Sequence, residues 1–377
     1  MLQERNEIMT NEIEEFIKSY SKAIVEGDAA VFAGAGLSVP SGYVGWKQLI
    51  EPFAQSIGLT TEKETDFLAI AQYYCNSRGN RSKMNEEILN AFTKNVFQNE
   101  NVSILTRLPI STYWTTNYDH LIEDNICANN RKADIKIVQE NLATNLSDRD
   151  AIVYKMHGDV LLPNQTVLIK DDYETFNLKR GLFATALKGD LISKTFLFVG
   201  FSFEDPNLNS VLARIKTLLG ENVREHFCFF KKVSDDSNGD VAYMRAKQEL
   251  VVQDLGRYGI RSIMLDSYDE ITEILREVER RCYLKNIFLS GSMSADQDGW
   301  SMREAEEFAH GLSRFLVASD YKITSGFGLG IGSAVINGAL EEIMKNKYKH
   351  VDEHLRLRPF PIPQIQSGET PLSTLWT

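Results

Sequence analysis

Residues 11–26 carry Ile13, Phe16, Ile17, Tyr20 and Ile24 at intervals of three and four, the stripe of an amphipathic helix. Gly27-Asp28 interrupts the stripe, and the apolar run 29–33 that follows reads as a buried strand. From Trp46 to about Leu105 the spacing is mostly helical, with Ile50, Phe53, Ala54 and Ile57 as one stripe. Short β-rich runs come next, at 111–115, 151–155, 166–169, 195–199, 226–230 and 261–265, most of them separated by helical segments. Strands alternating with helices predict a parallel sheet covered on both faces. A helix over 269–281 closes this block. A second block then offers a strand at 285–290, a helix at 301–319, a strand at 321–325, a glycine-rich loop and a helix from about 334 to 345. The expected class is α/β. A Rossmann-type parallel sheet with helical insertions spans residues 1–283, and a second, shorter Rossmann-like α/β domain spans 284–377. The last nineteen residues hold four of the nine prolines and one charged side chain, Glu369, so an irregular extension is expected there.

The chain has 377 residues, 43% hydrophobic and 25% charged, enough apolar mass for two or three globular cores. Its formal charge of −11 argues against a general binder of nucleic acid or anionic membranes. The opening MLQERNEIMTNEIEEF has no apolar signal core, and no apolar run reaches bilayer length, so a soluble, cytoplasmic protein is expected. Cys75, Cys127, Cys228 and Cys282 are widely spaced and form no C-x-x-C pair. Neither a zinc site nor a disulfide framework is expected, and no metal is assigned.

Four polar clusters follow apolar strands. The first is the small-residue turn Ala33-Gly34-Ala35-Gly36-Leu37-Ser38, continuing to Ser41-Gly42. Glycines there allow close approach to the backbone, and N–H groups at a helix start suit a phosphate. The others are Thr116-Asn117-Tyr118-Asp119, His157-Gly158-Asp159 and Gly200-Phe201-Ser202. Ligands of open parallel sheets bind outside the carboxyl ends of the strands, so the four loops can converge on one crevice. His157, with an ordinary pKa of about 6.5, is the natural general base. Asn117 can hydrogen-bond a substrate hydroxyl or a water without adding charge. Asp119 could orient that network, and equally suits a helix N-cap before Leu121. Ser202 also reads as a turn hydroxyl, and Asp205-Pro206-Asn207 as the cap of the next helix. His120, His226, His310, His350 and His354 sit in no motif.

Taken together, these motifs resemble the sirtuin-type NAD-binding fold in order and rough spacing over residues 11–280. Gly34–Ser38 with Ser41-Gly42 looks like the family's phosphate and ribose loop, Asn117-Tyr118-Asp119 like its Asn-x-Asp, and His157-Gly158 like the catalytic His-Gly. Gly200-Phe201-Ser202 looks like the loop that holds the adenosine side. The resemblance implies NAD as substrate, with Ala33, Gly34, Ala35, Gly36, Ser38, Gly200 and Ser202 binding it and Asn117, His157 and Asp119 acting on it. The four-cysteine module and the Asp-Phe-Arg of sirtuin deacylases are missing, which points to cleavage of the nicotinamide–ribose bond rather than deacylation. Protein deacylation, ADP-ribosyl transfer and non-catalytic nucleotide sensing are the alternatives.

In the second block, Ser290-Gly291-Ser292 and the run Gly326-Phe327-Gly328-Leu329-Gly330-Ile331-Gly332-Ser333 follow strands. They resemble the SLOG family of nucleotide-signal domains. A sirtuin-like domain followed by a SLOG domain resembles the effectors of the Thoeris antiphage system. That resemblance implies destruction of NAD, a cyclic ADP-ribose-type signal from a TIR-domain partner, and self-association, typically as a homotetramer. Gly291, Ser292, Gly328, Gly330, Gly332 and Ser333 are then the expected signal contacts; helix-on-strand packing is the other reading of those glycines. Compared with the family pattern the SLOG domain is expected to be shortened.

Overall fold

The computed structural model describes residues 11–93, 96–235, 240–291, 299–326, 330–345 and 351–358. The chain divides into two compact units between Cys282 and Tyr283. The first is built on seven strands: β1 (Ala29–Ala33), β2 (Thr112–Thr115), β3 (Ala133–Lys136), β4 (Ala151–Lys155), β5 (Thr195–Val199), β6 (His226–Lys231) and β7 (Ile260–Leu265). They lie in the order β3-β4-β2-β1-β5-β6-β7, and every pairing is parallel.

Strand β1 is central, and all five of its residues are buried because helices cover both faces. One face packs Ile13, Phe16, Ile17, Tyr20 and Ile24 of the helix Asn11–Val25 against Val31, Tyr113 and Phe227. The other packs Phe32, Trp114, Phe196 and Phe198 against Phe183 and Leu187 of the helix Phe176–Ser193 and Leu208 and Val211 of the helix Pro206–Leu219. The helical region 46–107 resolves into four helices, Trp46–Ser56, Phe67–Arg78, Ser82–Phe92 and Glu100–Arg107. After β1 the chain winds to one side of the sheet, and after β4 it crosses to the other. The switch point falls between β1 and β5, where ligands of this architecture bind.

Two expectations change. The run 166–169 is not a strand. The N–H groups of Leu168 and Ile169 bond Asp172 Oδ2 at 3.0 and 3.1 Å, so the start of the helix Lys170–Glu174 claims that backbone. Strand β3 was not expected. It is four residues long at the sheet edge, and its Asp134 and Lys136 look polar in sequence but pair with each other at 2.9 Å.

The second unit has a three-stranded parallel sheet in the order β10-β9-β8, from β8 (Asn286–Leu289), β9 (Lys322–Ser325) and β10 (Leu355–Leu357). Strand β10 was also not foreseen. The helices Met302–Ala318 and Ile331–Lys345 supply Leu316, Val317, Val335, Ala339 and Ile343 to its core. Gly338 sets their close approach, since a Cβ there would lie 2.3 Å from the His310 carbonyl oxygen. The proline-rich residues 359–377 lie outside the described residues. No described helix is long and apolar enough to cross a membrane.

Candidate active site

The four clusters follow β1, β2, β4 and β5, which are adjacent in the sheet. Their loops therefore meet at its carboxyl edge. The turn after β1 and the turn after β5 touch backbone to backbone. Gly34 N–H donates to Val199 O and Gly36 N–H to Gly200 O, both at 2.9 Å. A Cβ on Gly34 would lie 2.4 Å from Gly200 O, and one on Gly200, whose φ is +64°, would lie 2.1 Å from Leu37 N. The glycines are thus explained first by the packing of two loops. Two of the amides offered to a phosphate in the sequence reading are bonded within the protein in this conformation.

Asn117 joins the β2 loop to the β1 loop. Its Nδ2 donates to Gly34 O and to Ser38 Oγ, each at 3.0 Å, and its own N–H is held by Thr115 Oγ1 at 2.9 Å. Thr115 Oγ1 in turn donates to Ala33 O at 3.0 Å. Ala35 is half-buried and Ser38 buried beside this contact. Asp119 accepts the Leu121 N–H at 3.0 Å, the cap-like contact expected of it. Its Oδ2 is buried with no hydrogen-bond partner, as is Ser41 Oγ. Burial pushes the Asp119 carboxyl above its ordinary pKa, against the Leu121 N–H, the Lys155 charge and the nearby Ser38 hydroxyl, which lies close without an aligned hydrogen bond to Oδ2. Buried polar atoms without partners are uncommon in folded proteins, and a bound ligand is one group that satisfies them.

His157 sits at the end of β4 and is 5% exposed. Its backbone turns at Gly158, φ +95°, where a Cβ would crowd Thr166, Gln165 and Arg180. The ring meets Tyr173 and Phe176 edge-on, with centroids 5.6 and 6.3 Å away. Its Nε2 lies 3.2 Å from Asp205 Oδ2, in ion-pair range but outside hydrogen-bond alignment. Asp205 caps the helix Pro206–Leu219 as expected, Leu208 N–H donating to Oδ1 at 2.8 Å. The sequence reading missed its second contact. Burial raises the Asp205 carboxyl, but His157, the Leu208 N–H and the Tyr173 hydroxyl outweigh burial and hold it below its ordinary value. Asp205 is delivered by Phe203, a bulky residue at φ +59° held among Phe198, Phe201 and Phe230. Ser202 is exposed and bonds none of the other candidates.

A second missed group ties the loops from below. Lys155 Nζ, fully buried, donates to the carbonyls of Tyr118 at 3.2 Å and Asp119 at 2.5 Å. It also pairs with Glu123 at 2.8 Å and Asp159 at 2.6 Å. His120 Nε2 lies 3.0 Å from Asp159 Oδ1. His120, Glu123 and Asp159 hold ligand-type atoms within 4.8 Å of one another, a spacing a metal ion could use. The Lys155 ammonium already takes the cation's place between the two carboxylates.

Asn117, Asp119 and His157 are each at most 8% exposed, and they line neither a cavity of about 420 Å³ beside Phe176 and Val211 nor one of about 330 Å³ beside Thr166 and Arg180. All three side chains are thus buried in this conformation. In the second unit, Gly291 follows β8 and faces Ile331, a Cβ there lying 3.0 Å from Ile331 Cγ2. Gly330, φ +75°, precedes the helix that holds Gly332 and Ser333. Gly291, just after β8, thus meets the first residue of the helix Ile331–Lys345. Ser292 and Gly328 lie outside the described residues.

Residues 111–251 match the family model described as a SIR2-like domain, and residues 270–377 match the Sir2- and TIR-associating SLOG family. The NAD(+) hydrolase ThsA of Bacillus cereus (strain MSX-D12) is 50% identical over 361 residues, 95% of this chain and 75% of the relative. The protein of that name from Cytobacillus dafuensis is 45% identical over 378 aligned positions, 98% of this chain and 76% of the relative. That of Acinetobacter baumannii (strain 532279) is 44% identical over 359, covering 94% and 74%. The SIR2-like match, the SLOG-family match after it and identity of this extent over most of both chains agree: the chain belongs to the family of the ThsA NAD(+) hydrolases.

Proposed function

We propose that this protein hydrolyses NAD in antiphage defence, releasing nicotinamide and ADP-ribose. The bond from ribose C1′ to the nicotinamide nitrogen breaks, and its electron pair leaves with nicotinamide, which becomes neutral. Positive charge builds on the ribose, and water adds at C1′. His157 takes the proton that this water must lose. Asn117 holds the water or a ribose hydroxyl, and the Asp119 carboxylate, when ionised, favours the developing positive charge. The turn Ala33–Ser38 with Gly200 and Ser202 receives the rest of the dinucleotide. Burial of the three acting groups strengthens each electrostatic contact they make.

The observation that carries this reading is the junction at Asn117. One amide spans the β1 and β2 loops, and those same loops hold a buried carboxylate oxygen of Asp119 and a buried hydroxyl of Ser41 that lack hydrogen-bond partners. Family membership adds the reaction class. The finer parts rest on the resemblance to Thoeris effectors: a cyclic ADP-ribose-type signal from a TIR-domain partner, contacts to it from Gly291, Ser292, Gly328, Gly330, Gly332 and Ser333, and work as a homotetramer.

The test is nicotinamide release from NAD by the purified protein, alone and with a cyclic ADP-ribose-type signal. Asn117→Ala and His157→Ala are each expected to lower turnover by at least about 10² while NAD still binds. Full turnover in His157→Ala would remove the proposed base. Turnover that is indifferent to the signal would remove the sensing role.

A further inference from the structure

We infer that Asp205 is the positioning residue of His157, fixing which ring nitrogen acts as the base. The inference rests on the hydrolase reading above and deepens it. An N-cap needs one carboxylate oxygen, and Leu208 N–H occupies Oδ1. Oδ2 is left over, and it is turned into the site: His157 Nε2 lies 3.2 Å away and the Tyr173 hydroxyl donates to it at 3.3 Å. The side chain is 8% exposed, so this oxygen faces the ring rather than solvent. Tyr173 therefore touches both partners, holding the carboxylate through its hydroxyl and the imidazole through its ring edge. Phe203 at a positive φ supplies a strained turn that aims Asp205 inward, and such strain persists where its surroundings impose it.

The chemistry follows from the tautomer. The Asp205 carboxylate, 3.2 Å from Nε2 without an aligned hydrogen bond in this conformation, favours by its charge the tautomer with the ring proton on Nε2, which leaves the lone pair on Nδ1. No hydrogen bond from a described residue engages Nδ1. When water adds to ribose C1′, its proton passes to Nδ1, the ring becomes an imidazolium, and Asp205 stabilises that charge without taking the proton. The proton returns to solvent after the products leave.

The cap and the positioning role separate cleanly, because Asn caps a helix as well as Asp does. Asp205→Asn keeps the cap and removes the charge; Asp205→Ala removes both. kcat, KM for NAD and melting temperature are measured for the two variants and the wild type, with and without a cyclic ADP-ribose-type signal. Both variants are expected to lose about 10² in kcat with KM within about threefold, and only Asp205→Ala to melt lower. Asp205→Asn within threefold of wild-type kcat, with Asp205→Ala impaired, would reduce Asp205 to a cap and overturn the inference. Nitrogen NMR of histidine-labelled protein, with His157→Gln for assignment, reads the contact without turnover. Wild type should show the Nε2–H tautomer of His157, and Asp205→Asn a mixture. If wild type releases no nicotinamide and the tautomer still depends on Asp205, the hydrolase reading falls and the positioning contact stands. If the tautomer does not respond to Asp205→Asn, the positioning contact falls.

Discussion

Gly200 and Gly27 both have positive φ, +64° and +80°, yet they carry different loads. A Cβ at Gly27 meets nothing within 4 Å, so Gly27→Ala costs only the left-handed backbone, about 1–2 kcal/mol. A Cβ at Gly200 would lie 2.1 Å from Leu37 N and 2.5 Å from Gly36 C, so the β1 and β5 turns must separate. Gly200→Ala is therefore expected to lower the melting temperature more than Gly27→Ala and to abolish NAD turnover, while Gly27→Ala leaves turnover intact. Equal losses of stability in the two variants would mean that the turns are not closely packed. The sequence made the glycines legible as a close approach, and the approach is real. What approaches in this conformation is the backbone of the next loop, because two strands distant in sequence are neighbours in the sheet, and a turn read by itself does not reveal its neighbour. The same reason hid the second contact of Asp205: its cap is local and legible, whereas His157 is 48 positions away in the chain.

At the scale of elements, β4 does two jobs through one side chain. Lys155, its last residue, holds the β2 loop by two carbonyls, the helix Leu121–Ala128 by Glu123, and the loop after His157 by Asp159. In sequence it ends an apolar strand and looks like a solvated lysine. Its burial is set by the pairing of β2 with β4 and by four acceptors, from Tyr118, Asp119, Glu123 and Asp159. Two carboxylates face one ammonium, so protonation of His120 completes neutrality. Its hydrogen bond to Asp159 accordingly raises the His120 pKa, against burial. Burial works upward on Asp159, but His120 and Lys155 outweigh it and hold its carboxyl down to about 2. Stability from Asp159 is present above its unfolded pKa of about 4 and is lost as pH falls from there towards about 2. Stability from His120 is complete below its unfolded pKa of about 6.5 and is lost as pH rises through its raised folded value. Denaturation at pH 5 and pH 8.5 should thus show a decline in the wild type that is smaller in His120→Gln. Lys155→Met strands two buried carboxylates and is expected to cost about 3–5 kcal/mol at neutral pH, with turnover lost because the loops after β2 and β4 are untied. A stable, fully active Lys155→Met would show that the loops are held by other contacts.

For the molecule as a whole, strand–helix alternation was enough to give two α/β units, because buried parallel strands write nearly continuous apolar runs. It failed where strands were short and polar at an edge, as in β3, or brief and alternating, as in β10. The second unit leaves a consequence that composition does not reveal. Phe288 is 65% exposed, Phe308 58%, Phe315 66% and Met344 83%. Phe308 and Phe315 are seven residues apart and share one stripe of the helix Met302–Ala318, opposite the face that buries Val317. A stripe of exposed aromatic side chains on one helix, as Phe308 and Phe315 form, is the kind of surface that marks an association site. A second copy of the chain is the occupant expected from the self-association proposed above, since a chain of net charge −11 gains little from adding further charge at a contact and more from burying rings. Replacing Phe308 and Phe315 together by Ser should lower the mass seen by light scattering at micromolar concentration and raise the concentration at which turnover appears. Neither side chain lies in the core, so the melting temperature of the first unit should hold. An unchanged mass would place the self-association surface elsewhere. A monomeric wild type with full turnover would remove self-association from the mechanism and leave the four-loop crevice sufficient alone.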